Sequence, residues 1–341
     1  MFNSKYLVFI FVLTASCSPV EQRSLNMTVA YDRVFNHDGM ERTYKIYRPK
    51  ELQRNAPALF LLHGMGSSNN WSYMAGFNEL AEKHGFLAVY PQSYKKLIEF
   101  DRSWERASDK ESFVDPLMEK IAACENGDSF SWSRMDFICK EDVVSTYNVR
   151  WNESNEDSLF DGQSDVQFLS ALARTLQREF DLNTEKTFVA GFSNGGYMSY
   201  SLMCQAGGVF KAAAVVSGLI DANVFRNCAL NEPKHIIHIH GADDRMVPIN
   251  GGDDKNKQPS ALEIVEFFAS LNGSKTIETS QATKNAELTR YKPTSGGAEV
   301  QYYRIENHDH VWPGSDSGAK KIQDESGLNA SELIWDFFSK I

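Results

Sequence analysis

The run Gly191-Phe192-Ser193-Asn194-Gly195-Gly196 constrains the fold more than any other stretch of this chain. It follows a short apolar segment, Thr187–Ala190, and opens a segment with helical patterning that ends near Gln205. A strand that turns sharply into a helix strains the residue at the corner, and glycines around it leave room for the turn. The corner residue here is a serine. Such a turn lifts its hydroxyl above a sheet, at a helix N-terminus where a free backbone N–H and the helix dipole favour negative charge. Without those flanks the six residues are an ordinary glycine-rich turn; with them the pattern predicts a nucleophile.

The rest of the chain supplies the sheet this turn requires. Short apolar runs alternate with helical patterns, the signature of a mainly parallel sheet wrapped by helices. Asn26–Tyr31 and Arg42–Tyr47 read as alternating strands at an antiparallel edge. Ala58–Leu62 and Phe86–Tyr90 read as buried strands with a crossover helix, Trp71–Lys83, between them. Ser164–Phe180 reads as a long amphipathic helix carrying Val166, Leu169, Leu172, Ala173 and Leu176 on one stripe. Ala212–Val216, Ile236–His240 and Val300–Ile305 complete the expected strands; Leu262–Leu271 and Ser331–Phe338 complete the helices. One stretch, Tyr94 to Gln163, breaks this rhythm. It is polar, scattered with aromatics (Phe100, Trp104, Phe113, Phe130, Trp132, Phe137, Trp151) and carries Cys124 and Cys139. So long a stretch without clear periodicity is usually functional or disordered, and its aromatics and cysteines argue for order. It reads as an ordered insertion above the strand C-termini, a cap or substrate-binding wall that sets substrate choice and leaves the chemistry to the rest of the chain.

A serine hydroxyl is too weak an acid to attack alone, so it needs a base, and the base an orienting acid. After the strand Ile236–His240, Asp243 and Asp244 compete for the acid; after the last strand, His308 and His310 compete for the base. A second donor for a developing oxyanion is expected after Ala58–Leu62, in His63-Gly64-Met65-Gly66, where the N–H of Met65 joins that of Asn194. The side chain of His63 reads as a brace for that loop. Together these features describe the α/β-hydrolase fold, with an inserted cap segment at about 94–163.

The strings Leu62-His63-Gly64, Gly191 to Gly196, His240-Gly241-Ala242-Asp243-Asp244-Arg245-Met246-Val247-Pro248 and His310-Val311-Trp312-Pro313-Gly314 resemble the polyhydroxybutyrate depolymerase and feruloyl esterase family, which includes acetylxylan esterases. The resemblance runs from about Tyr44 to Gly314, apart from the insertion. In that family the acid stands three positions before a Val-Pro pair, and the base precedes a variable residue and Trp-Pro-Gly. This implies a triad of Ser193, Asp244 and His310. It also implies a carboxylic-ester hydrolase working through an acyl-enzyme, on feruloyl or acetyl esters of polysaccharide or on short polyhydroxyalkanoates. Cys204 and Cys228 match cysteines common in the family. Trp104, Trp151 and Trp312 are the candidates for substrate contact.

Residues 1–16 read as a signal peptide: one early positive charge, the apolar run Tyr6–Leu13, then Thr14-Ala15-Ser16. The small residues before Cys17 resemble a lipoprotein processing site, which makes Cys17 a candidate anchor and leaves residues 17–341 as the hydrolase domain. An exported chain with four further cysteines favours two disulfides, and proximity pairs Cys124 with Cys139 and Cys204 with Cys228. The net charge of −10 argues against nucleic acid as a partner. The histidines lack metal-ligand spacing, so neither a metal nor another cofactor is expected. Membrane contact is expected only through the lipid anchor. Two rivals share the same features: a serine peptidase of the same fold, and a non-catalytic protein that offers the insertion's aromatics to a polysaccharide.

Overall fold

The computed structural model describes residues 30–70, 75–101, 120–121, 123–132, 135–141, 143–153, 164–252, 258–293, 297–315 and 324–341. The signal segment, Cys17, Trp104 and the first part of the expected helix Trp71–Lys83 lie outside them. Two sheets are formed. The larger contains β1 (Tyr31–His37), β2 (Met40–Tyr47), β3 (Ala58–Leu62) and β4 (Leu87–Pro91), then β9 (Thr187–Phe192), β10 (Ala212–Val216), β11 (His235–Gly241), β12 (Ser274–Gln281), β13 (Ala286–Pro293) and β14 (Val300–Ile305). The smaller contains β5 (Tyr94–Asp101), β6 (Ser129–Trp132), β7 (Met135–Cys139) and β8 (Val143–Arg150).

The order in the large sheet is β1-β2-β4-β3-β9-β10-β11-β14-β13-β12. Its centre, β4 to β14, is parallel throughout, and antiparallel strands close both sides. The central strands are apolar because both faces are covered. Alternation along β3 sends Phe60 and Leu62 into one core and Leu59 and Leu61 into the other. On the first face pack α2 (Asp165–Glu179), α3 (Asn194–Gln205), the short α4 (Ala222–Asn227) and α5 (Ala261–Leu271). On the second pack α1 (Phe77–His84) and α6 (Ala330–Phe338), where Phe338 stacks on Phe188 and Trp335 on Phe86. Helix starts follow their caps: the Ser164 hydroxyl accepts from the Gln167 amide, and Ser260 with Glu263 forms a capping box.

Three departures from the sequence reading have physical causes. First, β12 and β13 were not expected as strands. They form an edge hairpin, and β12 is exposed along nearly its whole length with Ile277 in solvent, so it carries no apolar alternation. Second, helix α1 starts only at Phe77, because Gly76 takes a left-handed conformation at its N-cap. Third, the insertion is a four-stranded antiparallel sheet ordered β5-β8-β7-β6. Its strands mix polar and apolar residues over short runs such as Ser129–Trp132, which hides their period. Phe137 is fully buried there and stacks on Phe130, and Cys124 is bonded to Cys139.

Candidate active site

Ser193 sits at the corner between β9 and α3 with φ 55° and ψ −123°. A non-glycine residue at positive φ is strained by about 1–3 kcal/mol, so the surroundings must hold it. They do: the Ser193 amide donates to Val216 O (2.9 Å), and Ser193 O accepts from the amides of Gly196 and Tyr197 (2.8 and 3.1 Å). Two glycines make the corner possible. A Cβ on Gly191 would come within 2.0 Å of Gly195 O, and one on Gly195 within 2.2 Å of Leu62 O.

The acid and the base come from loops after adjacent parallel strands, β11 and β14. Asp244 is buried with a side chain at 0% exposure, while Asp243 is exposed. The Oδ1 of Asp244 accepts the amides of Met246 (3.0 Å) and Val247 (2.8 Å), which leaves Oδ2 to accept Nδ1–H of His310 at 2.8 Å. With its proton held on Nδ1, the neutral imidazole presents Nε2 as a lone pair. Among the described residues neither His310 Nε2 nor the Ser193 hydroxyl has a hydrogen-bond partner, each other included, and the His310 ring lies 4.8 Å from that of Phe192, the neighbour of Ser193. His308 is buried and donates from Nε2 to Val311 O (3.0 Å), bracing the loop that carries His310.

The loop after β3 is braced by His63. His63 is fully buried and donates from Nδ1 to Gly64 O (2.8 Å), while Nε2 accepts from the Ser93 amide (3.1 Å). Burial pushes its pKa down to about 4, so the ring is neutral. Gly66 N is committed to Val149 O (2.8 Å). The amides of Met65 and Asn194 have no acceptor among the described residues.

Two expected substrate contacts are corrected. Trp151 is fully buried and donates its indole N–H to His63 O (2.9 Å). Trp312 is 3% exposed, donates to the Ser331 hydroxyl (3.1 Å) and meets Phe77 and Phe192 edge-on. Both are spent on packing, as expected of a large ring whose N–H finds a protein acceptor. Cys204 is bonded to Cys228, which ties the end of α3 to the end of α4.

Sequence reasoning missed a buried chain behind the acid. Tyr200 O–H donates to His238 Nδ1 (2.7 Å), His238 Nε2 lies 3.0 Å from His240 Nδ1, and His240 donates from Nε2 to Val247 O (2.8 Å). The Val247 carbonyl fixes the His240 tautomer, so His238 must donate to His240. Burial keeps both rings neutral. His238 and His240 at alternate positions of an inward-facing strand were the available signal. Sequence reasoning also missed the Asn194 side chain, whose Oδ1 accepts the Trp151 amide (2.7 Å) and whose Nδ2 donates to Glu153 Oε2 (3.0 Å).

The architecture superposes on the acetyl xylan esterase of Aspergillus awamori with a TM-score of 0.55 at 13% identity, covering 91% of this chain and 100% of that one. The chain has the α/β-hydrolase fold. The model of the prolyl oligopeptidase family matches residues 146–229, a segment that holds the Ser193 turn. In sequence the chain is similar to a bifunctional acetylxylan esterase/xylanase of Neocallimastix patriciarum, 23% identical over 306 residues, which is 89% of this chain and 34% of that protein. It is also similar to a probable feruloyl esterase C of Aspergillus clavatus, 35% identical over 135 residues, or 38% of this chain and 48% of that protein. The chain thus spans less than half the length of these relatives.

Proposed function

We propose that this hydrolase cleaves carboxylic esters through an acyl-enzyme formed on Ser193. The observation that carries the reading is the Asp244–His310 hydrogen bond of 2.8 Å, with Oδ1 of the acid already committed to two amides. His310 Nε2 takes the proton of Ser193 as Oγ attacks the ester carbonyl, and the oxyanion is held by the amides of Met65 and Asn194. His310 then protonates the departing alcohol. In the second half it takes a proton from water, which releases the acid and restores Ser193.

The named relatives act on acetylxylan or are feruloyl esterases, which supports feruloyl or acetyl esters of polysaccharide as the substrate class. The prolyl oligopeptidase match favours one second reading, a serine peptidase. Comparing methyl ferulate, p-nitrophenyl acetate and a peptide anilide tests the choice. Ester turnover without anilide cleavage is expected, and anilide cleavage at a comparable kcat/KM overturns the ester reading. Two disulfides and the segment before Cys17 support export with a lipid on Cys17. A mature protein whose mass lacks a lipid would refute the anchor.

A further inference from the structure

We propose that Trp151 is the positioning residue that sets the distance between the two oxyanion donors. The inference rests on the esterase reading and deepens it. The donors belong to loops after β3 and β9. Those strands are neighbours, but their ladder ends at the pair Leu62–Gly191, before either donor is reached. Beyond that point the β3–β9 ladder no longer fixes the spacing; on the other side β10 still holds the Ser193 amide through Val216 O (2.9 Å). The Met65 peptide is flanked by Gly64 and by Gly66 at φ 72°, and the carbonyl of that peptide, Gly64 O, accepts from His63 Nδ1 (2.8 Å) and the Ser67 amide (3.2 Å) within its own loop. Those bonds fix the donor within its own loop and leave its distance from the second donor to be set, and charge stabilisation requires both donors 2.7–3.1 Å from the developing oxyanion.

The exit of strand β8 supplies that hold on both loops at once. Trp151 reaches the first loop with its indole N–H, on His63 O at 2.9 Å. It reaches the elbow with its backbone N–H, on Asn194 Oδ1 at 2.7 Å. Asn194 Nδ2 returns to Trp151 O (3.4 Å) and to Glu153 (3.0 Å), while Val149 O takes the Gly66 amide (2.8 Å). Trp151 is itself immobilised. Its ring packs 5.2 Å from that of His63. The next amide, Asn152 N–H, donates to Asp165 Oδ2 (2.7 Å). Asp165 pairs with buried Arg42 at 2.8 Å, and Arg42 lies 3.8 Å over the Phe168 ring. The span is therefore built on β2 and α2, two rigid elements. Among apolar side chains of this size only tryptophan fills the volume and carries a strong N–H donor. On this account the exit of β8 belongs to the catalytic centre, and the insertion contributes to the chemistry through it.

The test is Trp151→Phe, which keeps an aromatic ring and removes the N–H. Turnover of p-nitrophenyl acetate is measured beside the affinity for phenylboronic acid. The boronate forms a Ser193 Oγ–boron bond as His310 takes the serine proton, and places an anionic tetrahedral oxygen at the donors. The expected result is a kcat about tenfold to a hundredfold lower, less than deletion of a donor costs. KM should stay within twofold, and boronate affinity should fall by the same factor as kcat. Wild-type kcat and boronate affinity in the folded variant, or a change confined to KM, overturn the proposal. If Trp151→Phe does not fold, Asn194→Ala carries the test: it removes the acceptor of the Trp151 amide and keeps the Asn194 backbone donor. The same paired loss is expected, and an unchanged kcat overturns the proposal. An inactive wild type would instead remove the esterase reading.

Discussion

Asp244→Asn isolates the tautomer argument, because the structure dictates which way the new amide must sit. Oδ1 of Asp244 accepts two backbone N–H groups, from Met246 and Val247. An amide nitrogen cannot accept, so the asparagine oxygen must take that position. Its NH₂ then occupies the place of Oδ2 and faces His310 Nδ1 across 2.8 Å. Two N–H groups cannot point at one another, so His310 moves its proton to Nε2 and loses the lone pair that should receive the serine proton. Inverting the tautomer in this way costs about 10⁴-fold in kcat, or roughly 5 kcal/mol of barrier, and removes little contact area. The assay is steady-state hydrolysis of p-nitrophenyl acetate by folded wild type and variant, with Asp243→Asn as a control expected near wild type. A variant that keeps more than a tenth of wild-type kcat would show that His310 does not depend on Asp244 for its orientation.

Three further outcomes are expected. His308→Ala should keep most turnover while losing about 1–3 kcal/mol of stability, since it removes a buried donor to Val311 O, whereas His310→Ala should lose at least about a thousandfold; activity assays with urea unfolding compare them, and the reverse ranking would exchange the two histidines. Because burial holds His63 at about 4, below its unfolded value, stability should be full above about pH 6.5 and fall as the pH drops toward 4. From His63 alone the loss is about 2 kcal/mol by pH 5, with His238 and His240 adding in the same sense, and urea midpoints that do not move between pH 7.5 and 5 would contradict it. Replacing Cys204 and Cys228 by serine should cost about 3 kcal/mol in unfolding free energy without changing kcat, and an unchanged denaturation midpoint would show that the bridge adds nothing.

The parallel centre of the sheet was legible because its strands are covered on both faces. Ala58–Leu62 and Ala212–Val216 are apolar at every position, and that is what burial on two sides demands. The nucleophile turn was legible for a different reason: its glycines are steric requirements, so they leave a mark at the level of single residues. The insertion left no such mark, since along β8 Val144, Ser145 and Thr146 are buried in succession, polar beside apolar, and no period of two shows in the sequence. The edge strand β12 is exposed enough that burial imposes almost no pattern on it, and its partner β13 buries only Ala286, Leu288 and Tyr291 among polar residues. Trp151 and Trp312 were read as binding residues because a sequence cannot say whether a tryptophan N–H finds a protein acceptor. Here both do, on His63 O and the Ser331 hydroxyl. The Asn194 side chain was overlooked because the turn already gave its backbone a role.

The central claim is that Ser193 is the nucleophile of a hydrolase acting on esters, and reaction with a fluorophosphonate tests it most directly. The serine Oγ attacks phosphorus, fluoride leaves, and the adduct remains on whichever residue attacked. Mass spectrometry of the digested protein should place a single phosphonyl group on the peptide containing Ser193. Ester turnover should vanish in step with labelling, and Ser193→Ala should neither label nor turn over. A labelled residue other than Ser193, or full ester hydrolysis by the protein after Ser193 is phosphonylated, would contradict the account.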